Sequence, residues 1–150
     1  MRDVWQDIRS ERERQQALWP GQTCREMAQQ GRHQECLAIL AEEVGEVARA
    51  LNEHQYQGAP IAHLRTELVQ VAAVACAWLE GLGCDPTLQP MPPVAPALQL
   101  HALLIAQGQL AVVLATDCGC CPLTAELGDA LRRVAAIAAG WARMLGGGAL

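Results

Sequence analysis

The chain of 150 residues has no phenylalanine, no lysine and a single tyrosine. Half of it is hydrophobic all the same, and that half is mainly Ala, Leu and Val. Such a composition favours closely packed helices over a sheet, which draws on the aromatic types scarce here. All eleven basic residues are Arg, a bias that a GC-rich genome produces and that needs no functional reading. Positive charge is also short. The formal net charge of −5 argues against nucleic-acid binding, which calls for a basic surface. The first residues, MRDVWQDIRSERER, have none of the apolar character of a secretory signal. The most apolar stretch, 97–116, is interrupted by His101, Gln107, Gly108 and Gln109, so a buried helix is expected there and no membrane span.

What is present suits one domain with a real core. Seven cysteines without a signal imply reduced thiols in a cytoplasm. Three of them, Cys118, Cys120 and Cys121, cluster in DCGCCP. That spacing offers a soft-metal or redox site but fits no usual four-ligand zinc arrangement, unless Cys84 or a His completes it.

Glycine and proline punctuate the helical period. A charged helix is expected over 3–18, with Val4, Trp5, Ile8, Arg12 and Gln15 on one face, ending before Pro20-Gly21. A short helical piece at about 23–30 ends at Gly31. Longer helices follow at about 33–54 and 60–82, Pro60 suiting a first turn. The Pro-rich connector 84–95 leads to two more, about 97–116 and 123–145. Leu37, Leu40, Val44, Val47 and Leu51 form the apolar stripe of the first long helix. Leu64, Leu68, Val71, Ala75, Trp78 and Leu82 form that of the second. The fold class expected is all-α: two antiparallel helical hairpins forming a four-helix bundle, plus an N-terminal helix.

The chemistry concentrates in two acidic clusters. Glu42, Glu43 and Glu46 lie on the first long helix, and Glu67 with Gln70 on the second. Residues three apart share a helix face, so Glu43/Glu46 and Glu67/Gln70 can face each other across the hairpin. Beyond Gln70 the second helix is apolar on nearly every side, which marks it as buried. An acid at the start of such a helix needs a partner or a metal. Converging carboxylates suit a hard cation such as Mg²⁺, with Mn²⁺ as an alternative. The bland reading of any such pair is a solvated helix face.

The pattern Glu42-Glu43-Val44-Gly45-Glu46, a spacer, then Glu67-Leu68-Val69-Gln70 resembles the MazG-like all-α nucleoside triphosphate pyrophosphohydrolases. The likeness covers roughly residues 5–83. It departs at Gln70, where the wider family has Asp; a Gln carbonyl can ligate Mg²⁺ but brings no charge. The resemblance implies hydrolysis of a nucleoside triphosphate to the monophosphate and pyrophosphate, as in nucleotide-pool house-cleaning. It implies Glu43, Glu46 and Glu67 as metal ligands, Gln70 as a weak ligand or one acting through a ligand, and Glu42 as the group that orients or deprotonates water. Gln15 then meets a base edge and Trp19 either stacks on the base or joins the core. Arg12, Arg49 and Arg65 are phosphate contacts or ordinary surface Arg residues. Two other readings stay open: a binding module that holds nucleotide or metal without turnover, and a helical bundle that serves only interaction.

The second half of the chain repeats the first. A shift of 63 residues without a gap places Leu37 on Leu100, Leu40 on Leu103, Gly45 on Gly108, Leu68 on Leu131, Val71 on Val134 and Trp78 on Trp141. The repeats run 33–83 and 96–146. Glu42, Glu43, Glu46, Glu67 and Gln70 fall on Ile105, Ala106, Gln109, Ala130 and Arg133. The second hairpin has therefore lost the acids. It is expected to serve as a built-in packing partner, and a homodimer of this pseudo-dimeric chain remains open.

Overall fold

A computed structural model of the chain describes residues 3–88, 95–116 and 123–146. Among these there are six α-helices and no strand: α1 (Val4–Leu18), α2 (Cys24–Gln29), α3 (His33–Gln57), α4 (Ile61–Gly81), α5 (Gln99–Ala115) and α6 (Leu123–Gly146). A single 3₁₀ turn, Pro96–Leu98, precedes α5. No helix among them is long and apolar enough to cross a membrane.

The helix boundaries follow local chemistry. The Asp3 carboxylate accepts from the Trp5 backbone N–H at 3.2 Å and opens α1. At α2, Glu26 reaches back to the Thr23 backbone N–H at 2.9 Å, the reciprocal arrangement that caps a helix start. Gly58 closes α3 with φ +72°, a left-handed conformation that a side chain would strain. Pro60 stands just before α4 instead of inside its first turn, in an extended conformation. The His54 Nδ1–H donates to the Ala59 carbonyl at 2.7 Å and ties this link to the end of α3.

Side-chain contacts fix the direction of each helix pair. Glu53, near the end of α3, meets His63 at the start of α4 (3.5 Å). Trp78, near the end of α4, donates to His33 at the start of α3 (3.2 Å). The two helices thus run antiparallel. In the second pair Gln99 at the start of α5 meets Met144 near the end of α6 (3.5 Å), so those helices are antiparallel as well.

The centre of the molecule is α4. It packs against α3 and α6, and α1 and α2 lie across it. From Leu64 onward nearly all of it is buried, with Trp78 fully so. Ala72, Ala73 and Ala75 on α4, and Ala135, Ala138 and Ala142 on α6, are fully buried small residues. Short side chains at this contact let two backbones approach closely. At the far end of α4 the approach is closer still. A Cβ at Gly81 would lie 2.3 Å from the Arg25 carbonyl oxygen and 2.6 Å from Ala28 Cβ, so only glycine lets α2 cross there.

Burial repeats with the sequence period. Leu64, Leu68, Val71 and Trp78 are buried, and so are Leu127, Leu131, Val134 and Trp141, each 63 positions on. The expected stripe of α3 is rotated, however. Cys36 and Ala50 are buried beside Leu40, Val44 and Val47, while Leu37 and Leu51 are only half-buried. Contact with α2 pulls the Cys36 side inward, and the Cys36 thiol points at the Cys24 carbonyl oxygen (3.6 Å). Cys24, Cys36, Cys76 and Cys84 are free thiols. The Cys118, Cys120 and Cys121 group and most of the Pro-rich connector lie outside the described residues.

Candidate functional site

The acidic group is assembled from three helices. Glu42, Glu43 and Glu46 come from α3 and Glu67 from α4. Glu11 on α1 joins them because α1 lies across α4. Glu43 sits at the middle of this group, half-buried. Burial is the main cause that lifts its pKa to about 7, and the charges of Glu67, Glu11, Glu42 and Glu46 raise it further. The negative charge here is therefore poorly balanced by the protein alone.

Three of the acids around Glu43 are turned to protein partners. Glu67 is buried, and its two oxygens are both engaged: Oε1 lies 2.9 Å from His63 Nε2, and Oε2 accepts from Gln70 Nε2 at 2.5 Å. Glu46 pairs with Arg49. Glu11 accepts both Nε and Nη2 of Arg14 at 2.7 Å, and also Gln15 Nε2 at 2.9 Å. As the side chains stand, no three His, Cys, Asp or Glu residues among those described are gathered to hold an ion. The acids encircle Glu43 and do not converge on one point. The donors fit Mg²⁺ in kind, being oxygens with excess negative charge. Binding an ion would require Glu46 and Glu67 to release Arg49 and His63.

Beside the acids lies a cavity of about 320 Å³. Glu42 and Glu43 form part of its wall, and Gln15, Trp19, Gln22 and Thr23 form another part. Cys24, Met27, Ile39 and Val74 give it an apolar lining. Its size is at the lower end of small-molecule sites, roughly 300–1,000 Å³. Gln15 is buried, whereas Trp19 is 51% exposed, so Trp19 is not part of the core. It follows the last residue of α1, Leu18, and precedes the Pro20-Gly21 turn.

The structure therefore brings Gln15, Trp19, Glu42 and Glu43 to one cavity, with Glu46, Glu67 and Gln70 close by. It does not bring the three Arg residues there. Arg12 pairs with Glu80 at the far end of α4. Arg65 binds Asp7 at 2.6 Å. Arg49 is exposed and pairs with Glu46 and Glu53. Sequence reasoning missed Glu11, Arg14 and His63. Two of these carried a local signal: Glu11 stands four residues before Gln15, and His63 four before Glu67, the spacing at which helical side chains meet.

No protein-family model, curated protein or solved structure matches the chain.

Proposed function

We propose that the chain is a Mg²⁺-dependent nucleoside triphosphate pyrophosphohydrolase of the MazG-like kind. The observation that carries this reading is the sharing of Glu42 and Glu43 between the acidic group and the cavity. A nucleotide whose base entered between Trp19 and the apolar floor would have its phosphates beside carboxylates. An ion there, when bound, supplies the positive charge that lets a triphosphate approach an acidic wall, and it acidifies water.

Glu43, Glu46 and Glu67 are the residues to hold the ion. The raised pKa of Glu43 fits that role, because a cation would relieve the repulsion its neighbours impose. Gln70 holds Glu67 by a hydrogen bond and so acts through it. Glu42, exposed at the cavity wall, orients water and takes its proton. The water oxygen bonds to the α-phosphorus, the bridging α–β P–O bond breaks, and pyrophosphate leaves with the bridging oxygen. Trp19 offers a ring face to the base, and Gln15 a polar edge. Arg14 feels the charge of Glu43 as well as Glu11 and is the cation to meet a phosphate here, since Arg49 is taken up by Glu46 and Glu53, and Arg12 and Arg65 pair elsewhere.

The frame in this reading is a four-helix bundle of duplicated hairpins. The second hairpin substitutes for the partner subunit against which such a site is otherwise built. The matched burial at a spacing of 63 residues supports the duplication.

One contact favours a second reading, a nucleotide- or metal-binding module without turnover. Gln70 donates into the Glu67 carboxylate, where an Asp would add a ligand. A screen of the common ribo- and deoxyribonucleoside triphosphates with Mg²⁺ and Mn²⁺, read by pyrophosphate release, separates the two. Release that depends on the metal supports the enzyme. Nucleotide-dependent thermal stabilisation without release supports the binding module.

A further inference from the structure

The hydrogen bonds around the cavity fix the direction of its polar groups. Glu11 accepts a two-pronged guanidinium contact from Arg14, which only an ionised carboxylate can do. A carboxylate of that kind has no proton to give, so the Gln15 atom 2.9 Å from it must be the amide nitrogen. Gln15 Oε1 is left as the end available to the cavity that Gln15 lines. Thr23 is constrained in the same sense. Its hydroxyl donates to Glu26 Oε2 at 2.7 Å, so its oxygen keeps only lone pairs to offer. Glu42 and Glu43, also on the wall, bring carboxyl oxygens. The two wall groups whose direction these hydrogen bonds fix, Gln15 Oε1 and the Thr23 hydroxyl oxygen, are acceptors. A ligand edge that carries N–H donors satisfies them, and an edge that carries a carbonyl leaves them unpaired and faces like with like.

We propose that this cavity selects nucleobases bearing an exocyclic amino group over their keto counterparts. Gln15 Oε1 reads the amino group, and Glu11 is the positioning residue that sets which end of the Gln15 amide is presented. The proposal deepens the pyrophosphohydrolase reading and rests on it for the nucleotide. Cytosine and adenine share the amino group, and paired substrates tell them apart. A site built on hydrogen bonds discriminates strongly against a ligand that cannot make them, so at least about tenfold is expected between the members of a pair.

The test compares kcat/KM for dCTP with dUTP, and for dATP with dITP, using the full chain with Mg²⁺. Equilibrium binding of dCMP, dUMP, dAMP and dIMP without metal is measured beside it. The expected result is at least a tenfold preference for the amino member of one pair, the pair naming the base. In Glu11→Gln the amide of Gln15 is free to turn, and the ratio should collapse toward one or invert. A structural defect would lower both members equally and leave the ratio alone. Gln15→Leu removes the acceptor and serves where Glu11→Gln does not fold; its ratio should also fall toward one. Hydrolysis with equal rates for both members overturns the base selection while the enzyme reading stands. Preferential binding of an amino-bearing monophosphate without any hydrolysis supports the selection while the enzyme reading fails. No preference in either measurement, or a preference untouched by both variants, overturns the proposal.

Discussion

The α3–α4 pair and the α5–α6 pair share a register and differ in what they display on it. Leu64, Leu68, Val71 and Trp78 are buried in the first, and their counterparts Leu127, Leu131, Val134 and Trp141 are buried in the second. At the acidic positions the two diverge. Where Glu42 is exposed, Ile105 is 61% exposed; where Glu43 is half-buried, Ala106 is fully buried. Ala130 takes the place of Glu67. Arg133 Nη1 donates to Gln109 Oε1 at 2.7 Å, and these residues occupy the positions of Gln70 and Glu46. That contact shows that the two positions face each other across the second pair. The second pair buries these core positions with none of the acids. Packing therefore does not require them, and their crowding around Glu43 works against stability. On the proposed reading these groups belong to the site and not to the frame.

The largest effects should fall on what the two pairs share. Trp78→Ala and Trp141→Ala are each expected to cost about 3–5 kcal/mol in denaturant unfolding. Trp78 should cost more, because it also loses its hydrogen bond to His33. A Trp141 change without effect would break the equivalence of the pairs.

Next in size is the charge at position 70. Gln70→Asp adds a carboxylate beside Glu67 on α4, and Mg²⁺ affinity measured by calorimetry should rise about tenfold. A smaller effect follows from Glu43. Its folded pKa of about 7 lies above the ordinary 4.5. Between those pH values the folded chain holds the extra proton, so stability falls as pH rises from 4.5 through 7 and the loss is complete above 7. Glu43→Gln should flatten that slope and raise stability at pH 8 by about 1 kcal/mol, the half-exposed side chain being partly screened by water. By the same sign, Mg²⁺ should raise the melting temperature more at pH 8 than at pH 6. The smallest change is expected for Glu67→Ala, within about 1 kcal/mol in unfolding, because Ala stands at its counterpart, position 130. A cost above about 2 kcal/mol would make Glu67 a structural residue.

Much of the frame could be read from the sequence, because it is written in local signals. Helical apolar periods and the breaks at Pro20-Gly21 and Gly31 mark the helices to within a few residues. The rotation of α3 could not be read, since Cys36 and Ala50 are weak hydrophobes beside Leu37 and Leu51, and only contact with α2 decides which side turns inward. The acids of α3 and α4 stood out through spacing. Glu11 did not, because its place near Glu43 depends on how α1 crosses α4. The partners of the Arg residues were hidden for the same reason: Arg12 meets Glu80 and Arg65 meets Asp7 across 68 and 58 positions of chain. Trp19 looked able to join the core by its chemistry, but its position after the end of α1 leaves it half exposed.

The central claim is that the acids of α3–α4 form a working site and that the same positions of α5–α6 only pack. The most direct test is Mg²⁺-dependent pyrophosphate release by the wild-type chain, Glu67→Gln and Ala130→Gln, each shown to be folded by its melting curve. The account predicts release by the wild type, retention of it in Ala130→Gln, and a loss of about a hundredfold or more in Glu67→Gln. Equal release by Glu67→Gln and the wild type, or a loss of the same size in both variants, would contradict it.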